Sequence, residues 1–240
     1  MSMKERFVRT AMLLGEDKET VLNSAHVTIF GLGGVGGQCA EALVRAGIGH
    51  IHLVDADVVS ESNLNRQLIA TKSNVGKYKT ECMRERIEDI SDCHVTSEIC
   101  FVTPENAAQT IPRDTDYVID AIDTVSAKLA IISVCKDREI PVISCMGAGN
   151  RLDPSRFRII NIFKTSGCPL ARVMRRELRK RGIDALDVVM SDETPRTPLF
   201  FDNSVEGRHT PGSVSFVPAA AGLLLAAKAI WDISGVQPSK

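Results

Sequence analysis

Short apolar runs and longer stretches with apolar residues every three or four positions alternate along the chain. The runs at 27–30, 50–54, 94–101, 117–122 and 142–145 predict strands, and the stretches at 34–46, 75–90, 104–110 and 125–138 predict helices. Thr103 ahead of Pro104 offers a capping hydroxyl followed by proline at a first helical position. Such a β-α-β-α rhythm implies an α/β fold, a mostly parallel sheet with helices on both faces. Beyond Gly147 the pattern changes. "RFRIINIF" alternates as a half-buried strand, "CPLARVMRRELRKRG" has helical spacing, "ALDVVMS" predicts another strand, and 217–233 a closing helix. A helical arm is expected over 3–23, and a mobile polar loop over 192–212, which carries Pro195, Pro198 and Pro211.

The first predicted strand runs into "GLGGVGG", where Gly31, Gly33 and Gly36 have the G-x-G-x-x-G spacing of a tight strand-to-helix turn. Glycines let a phosphate approach the main chain, and the positive end of the following helix attracts its charge. The second strand delivers Asp55, an acid placed to accept hydrogen bonds from a ribose hydroxyl. The sheet is therefore expected to be doubly wound and Rossmann-like, with a nucleotide over its carboxyl edge. A dinucleotide dehydrogenase would present the same features. The expected organisation is one unit over 1–240: the arm at about 1–24, a nucleotide-binding core at about 25–165 and a substrate-side extension at about 166–240.

Of the 240 residues 44% are apolar and 25% charged, ordinary for a soluble globular protein, and the net charge is −1, so a nucleic-acid partner requires a local basic patch. The N-terminal "MSMKERFVRTAMLLGED" has no apolar signal region, which points to a cytoplasmic protein. Seven cysteines at irregular spacings include no C-x-x-C pair, so neither a disulfide framework nor zinc is expected. His50 and His52 share one strand face and are read as polar strand residues rather than metal ligands. The apolar stretch 217–227 ends at Lys228, short of the roughly 20 residues of a membrane span, leaving only peripheral membrane contact open.

Asn63, Arg66, Gln67 and Lys79 follow Asp55 closely, and "YVIDAIDT" ends a strand with Asp120 and Asp123. Cations on the phosphates suit a triphosphate better than a redox dinucleotide. If a carboxylate attacks the α-phosphorus of ATP, charge builds on the α-phosphate and on the departing pyrophosphate. Arg66 and Lys79 could stabilise that charge, and Asp123 could hold a bridging Mg²⁺. The alternatives are solvated surface cations and an Asp123 that caps the helix near Val125.

"GLGGVGG", "DADVVSESNLNRQ", "VGKYK" and "DAID", in this order, resemble the ubiquitin-activating-enzyme-like (ThiF/MoeB/HesA) superfamily. The resemblance implies ATP- and Mg²⁺-dependent adenylation, usually by a homodimer. It implies nucleotide contacts at Gly31, Gly33, Gly34, Gly36, Asp55, Asp57, Asn63, Arg66, Gln67, Lys79 and Asp123, with Arg66, Lys79 and Asp123 catalytic. By the same resemblance, an arginine matching Arg9 reaches the partner subunit's ATP. Thr124 stands where many members have asparagine.

The segments "RFVRTAMLLGED", "FVTPEN", "GAGNRLDPSRFRIINIF" and "VVMSDETP" are similar to the branch that dehydrates threonylcarbamoyladenosine in tRNA. This implies adenylation of the threonyl carboxylate followed by cyclisation. Activation of a Gly-Gly-tailed sulfur carrier, with a sulfur-relay protein as partner, or a non-catalytic ATP-binding scaffold are the other readings. Arg172, Arg175, Arg176, Arg179, Lys180 and Arg181 against a single Glu177 could meet tRNA phosphates or form a solvated helix face. Cys168, where that branch tends to have an acid, is either a reactive thiol or a structural helix-start residue.

Overall fold

The computed structural model describes residues 5–200 and 211–238. Seven strands form: β1 (His26–Phe30), β2 (His50–Val54), β3 (His94–Glu98), β4 (Tyr117–Asp120), β5 (Val142–Cys145), β6 (Phe157–Asn161) and β7 (Asp187–Ser191). They lie in the order β3-β2-β1-β4-β5-β7-β6, parallel except for the β6–β7 pair. The helices are α1 (Val8–Leu14), α2 (Asp17–Ser24), α3 (Gly36–Ala46), α4 (Lys79–Ile90), α5 (Val125–Asp137), α6 (Pro169–Lys180) and α7 (Phe216–Ser234).

The central strands read as nearly continuous apolar runs because both their faces are buried. Val27, Ile29, Ile51, Leu53, Tyr117 and Ile119 turn towards α3, α4 and α7. Phe30, Val54 and Val118 turn the other way, against α5 and the 102–111 connection. A third cluster joins α5 to α6. From β1 the chain winds outward through β2 and β3, then returns to β4 and winds the other way. The connections after β1 and β4 therefore diverge and leave a crevice at their carboxyl ends, where doubly wound folds bind ligands.

Several predicted boundaries move. The arm is two helices broken at Gly15, whose φ of 105° suits glycine. α4 begins at Lys79 rather than near 75: Gly76 has φ 90°, and Tyr78 is held extended by a bridge to Val58. The predicted helix at 104–110 is a series of turns. There Asn106 Oδ1 accepts from the Thr103 N–H (2.7 Å) and its Nδ2 donates to the Phe101 carbonyl (3.0 Å), and the backbone closes separate turns, Ala107 N–H to the Thr103 carbonyl (3.0 Å) and Thr110 N–H to the Asn106 carbonyl (3.2 Å), rather than an unbroken ladder. No regular element forms at 192–200, and 201–210 of the predicted loop lie outside the described residues.

α7 matches the predicted closing helix over 217–233 to one residue at each end, and Lys228 lies within it. By length and composition it could cross a membrane, yet it packs against α3 and the sheet. The approach is close: a Cβ on Gly222 would come within 2.2 Å of the Val35 carbonyl oxygen. Lys228 is held by Asp187 (3.1 Å) and Asp232 (2.6 Å). His50 and His52 are sheet-face residues, as expected. His26, His50 and His94 pair in register across three strands, with His26 stacked on His50 at 4.0 Å. Among the described residues no group of three metal-ligating side chains is assembled.

Candidate nucleotide-binding site

A cleft of about 580 Å³ opens at the carboxyl edge of the sheet. Gly31, with φ 85°, ends β1 and turns the chain into the loop. A Cβ there would meet the Ala121 carbonyl at 2.9 Å, and one on Gly36 would lie 1.7 Å from the Gly31 carbonyl. Gly36 thus permits the helix to sit on its own strand and does not line the cleft. Gly33 and Gly34 do line it, and a Cβ on Gly34 would press against Pro218 at 3.1 Å.

Asp55, at the end of β2, is buried. Its carboxylate accepts from the Leu32 N–H (2.6 Å) and the Asp57 N–H (2.8 Å), so it organises the glycine loop while facing the cleft. Burial pushes its pKa above the usual aspartate value, against the opposing pull of Lys79 and the two N–H donors. Lys79, the first residue of α4, is buried, and its ammonium donates to Asp57 Oδ2 at 2.6 Å. Arg66 donates to the Ser62 carbonyl and to Asn65 Oδ1, both at 2.9 Å. Partial burial lowers the Arg66 pKa, although a guanidinium stays charged. Asn63 accepts from the Ser60 N–H at 3.2 Å in a capping box. Gln67 is buried with its Nε2 on the Gly33 side, and its Oε1 is inaccessible to solvent and has no partner among the described residues.

Asp123 follows β4 and is exposed in the cleft. Thr124, not Asp123, is the residue before α5, and no side chain caps that helix. Among the described residues the Asp123 carboxylate receives only the Thr124 hydroxyl, at 3.4 Å, so it is open to a cation. Asp120, by contrast, is fully buried. It pairs with Lys128 at 2.9 Å and accepts from Ser144 Oγ at 2.6 Å. Lys128 also donates to the Ile122 carbonyl at 3.0 Å, which braces the loop that carries Asp123.

The cleft thus gathers Gly31, Gly33, Gly34, Asp55, Asp57, Asn63, Arg66, Gln67, Lys79 and Asp123. Arg9 is exposed on α1 and does not line it. Cys168 is buried beneath Gly147, with Leu129, Ile132 and Met146, and faces no cavity wall of the cleft. Sequence reasoning passed over Phe101, Val102 and Ala127, which supply an apolar wall suited to a base, and the Lys128–Asp120 brace. A lysine inside the apolar stripe of "VSAKLAIISVC" was the available signal for the brace, because a buried cation needs a carboxylate.

The fold and this cleft define a Rossmann-like nucleotide-binding protein with two cations, Arg66 and Lys79, in the cleft. The chain belongs to the ThiF family, whose profile matches residues 7–240. It is 40% identical over 242 residues to tRNA threonylcarbamoyladenosine dehydratase of Bacillus subtilis, covering 96% of this chain and 95% of that one. The structure of the E. coli tRNA N6-threonylcarbamoyladenosine dehydratase in complex with ATP superposes with a TM-score of 0.88, at 36% identity and 98% coverage of both chains. Similarity to the B. subtilis ThiS adenylyltransferase is 34% over 140 residues, 56% of this chain and 41% of that one.

Proposed function

We propose that this protein adenylates the threonyl carboxylate of threonylcarbamoyladenosine in tRNA and thereby drives its dehydration to a cyclic form. The observation that carries the proposal is the convergence of Arg66, Lys79 and Asp123 on one glycine-bedded cleft, in a chain similar over nearly its whole length to dehydratases of that nucleoside. A carboxylate oxygen attacks the α-phosphorus, the bond to the bridging oxygen breaks, and pyrophosphate leaves. A nucleophile within the same nucleoside then attacks the acyl carbon and releases AMP, which carries away the oxygen atom lost in dehydration. No enzyme nucleophile is needed, in keeping with the burial of Cys168.

Asp55 holds the ribose and Gly33 and Gly34 bed the phosphates, while Asn63 and Gln67 complete the polar lining. Arg66 and Lys79 offset charge on the α-phosphate and pyrophosphate, with Asp57 aiming Lys79. Asp123 is a fit for Mg²⁺, which is commonly held by one or two carboxylates together with substrate phosphates and would neutralise charge on the leaving group. The protein works as a homodimer in the cytoplasm, and Arg9 reaches the second copy's nucleotide. Met12 and Leu13, 76% and 84% exposed beside Arg9, support an arm that lies on another surface. The test is pyrophosphate release: the purified protein should release it only with tRNA that carries threonylcarbamoyladenosine. Release with a Gly-Gly-tailed carrier, or ATP binding without turnover, would displace the proposal.

The tRNA meets α6. Arg176, Lys180 and Arg181 converge on Glu177 at 3.1, 2.9 and 3.3 Å. Hydrogen bonds from Lys180 and Arg176 lower that carboxyl to about 2. Arg175 donates to the Thr165 hydroxyl, and Arg179 lies over the Phe163 ring at 5.2 Å. These contacts fix five of the six cations, Arg175, Arg176, Arg179, Lys180 and Arg181, along α6 and its C-terminal end. Reversing Arg175, Arg176 and Arg179 to glutamate should weaken tRNA binding and flatten the plot of log affinity against log salt by about 2–3 in slope. An unaltered slope removes tRNA from this helix.

A further inference from the structure

Asn150 stands in the loop after β5 with φ 59°, one of two described non-glycine residues with positive φ. Asparagine tolerates that region better than most residues, but the conformation persists only where the surroundings enforce it. Here they do. The Asn150 N–H donates to the Gly212 carbonyl at 2.7 Å, and Asn150 Oδ1 accepts from the Gly212 N–H at 2.7 Å, a reciprocal pair. Its carbonyl accepts from the Arg196 N–H at 2.8 Å. One residue thus gathers both flanks of the 196–212 segment.

The clamp reaches the nucleotide cleft. Pro211 rests on Gly149, where a Cβ would come within 2.7 Å of it, and both residues line the cleft with Ser213. The Ser213 carbonyl accepts from Asn65 Nδ2 at 3.0 Å, and Asn65 Oδ1 accepts from Arg66 Nη1 at 2.9 Å. A continuous path therefore runs from Asn150 through Gly212, Ser213 and Asn65 to the guanidinium of Arg66. Asn65 is a terminal amide on an exposed turn, so without Ser213 nothing described fixes its rotation. If the amide turns, Arg66 keeps only the Ser62 carbonyl.

We infer that Asn150 is a positioning residue for the triphosphate: it pins Gly212 and Ser213 at the cleft rim and, through Asn65, orients Arg66. The inference rests on the proposed nucleotide site and is independent of which carboxylate is adenylated. Asn150→Gly removes the Oδ1 acceptor while allowing the same backbone conformation, and Asn65→Ala cuts the path from its other end. Each should raise the Kd of ATP about tenfold and that of AMP by no more than about threefold, because AMP keeps only the α-phosphate of the groups Arg66 meets, by titration calorimetry on the full chain at fixed magnesium. The double variant should bind ATP no more weakly than the worse single variant, because both act through the same guanidinium. Asn65→Ala keeps the test available if Asn150→Gly does not fold. Equal losses for ATP and AMP, additive losses in the double variant, or wild-type affinity in either single variant would overturn the inference. Failure of the wild-type chain to bind ATP would instead refute the nucleotide site itself.

Discussion

Arg66→Ala is expected to slow adenylate formation by about 10²–10³ while leaving the thermal unfolding transition near that of wild type. The magnitude is that of removing one preorganised donor from a transition state in a partly desolvated site. Among the described residues the Arg66 side chain donates only to Ser62 and Asn65, both in its own turn, and shares no ion pair, so its loss removes charge with little loss of packing. Single-turnover pyrophosphate release with modified tRNA measures the effect. A rate within threefold of wild type would show that Arg66 does not meet the developing charge. Asp123→Ala should show the same separation of activity from stability, since among the described residues its carboxylate is hydrogen-bonded only by Thr124.

Lys128→Met is expected to produce the largest loss of stability among single substitutions at the cleft. Lys128 and Asp120 are both completely inaccessible to solvent and paired at 2.9 Å. Removing one partner of such a pair leaves an uncompensated buried charge and typically costs about 3–5 kcal/mol. For a chain of this size that corresponds to a fall in Tm of roughly 10 °C. Ser144 retains its bond to Asp120 and recovers little, because a hydroxyl offers no counter-charge. The double substitution Lys128→Met, Asp120→Leu should recover most of the Tm, yet it should not restore turnover, because the Ile122 carbonyl behind Asp123 has still lost its donor. Differential scanning calorimetry of both variants decides: an undiminished Tm in Lys128→Met would mean that Asp120 is not charged in the folded chain.

The residues that were legible in the sequence are those governed by local chemistry. β5 matches its predicted limits because a short apolar run that is nearly all buried has no competing local pattern, and β2 matches its own although His50 and His52 leave one face half-buried. The Gly31–Gly36 turn, Asp55, Arg66, Lys79 and Asp123 come together because a doubly wound sheet carries its loops to one edge. What failed depended on distant or competing contacts. Residues 104–110 have helical composition, but their backbone closes only separate turns, Ala107 to Thr103 and Thr110 to Asn106, and no continuous ladder forms. Asp120 and Asp123 look alike in "DAID", and they are separated as a buried counter-ion and an open carboxylate by Lys128, in the next helix, and by Ser144 on the neighbouring strand. The reciprocal bond between Asn150 and Gly212 leaves no periodic trace at all.

The cysteines have a practical consequence. Cys39, Cys82, Cys93, Cys135, Cys145 and Cys168 are buried, and burial pushes the thiols of Cys93, Cys135 and Cys145 up to about 12, beyond the reach of ordinary alkylation. Cys100 alone is partly accessible, and it stands in the wall of the nucleotide cleft. A bound base would shield it, so the rate at which a small maleimide or iodoacetamide labels this single sulfur becomes a built-in gauge of how full the cleft is, readable by mass spectrometry without any added probe on the nucleotide.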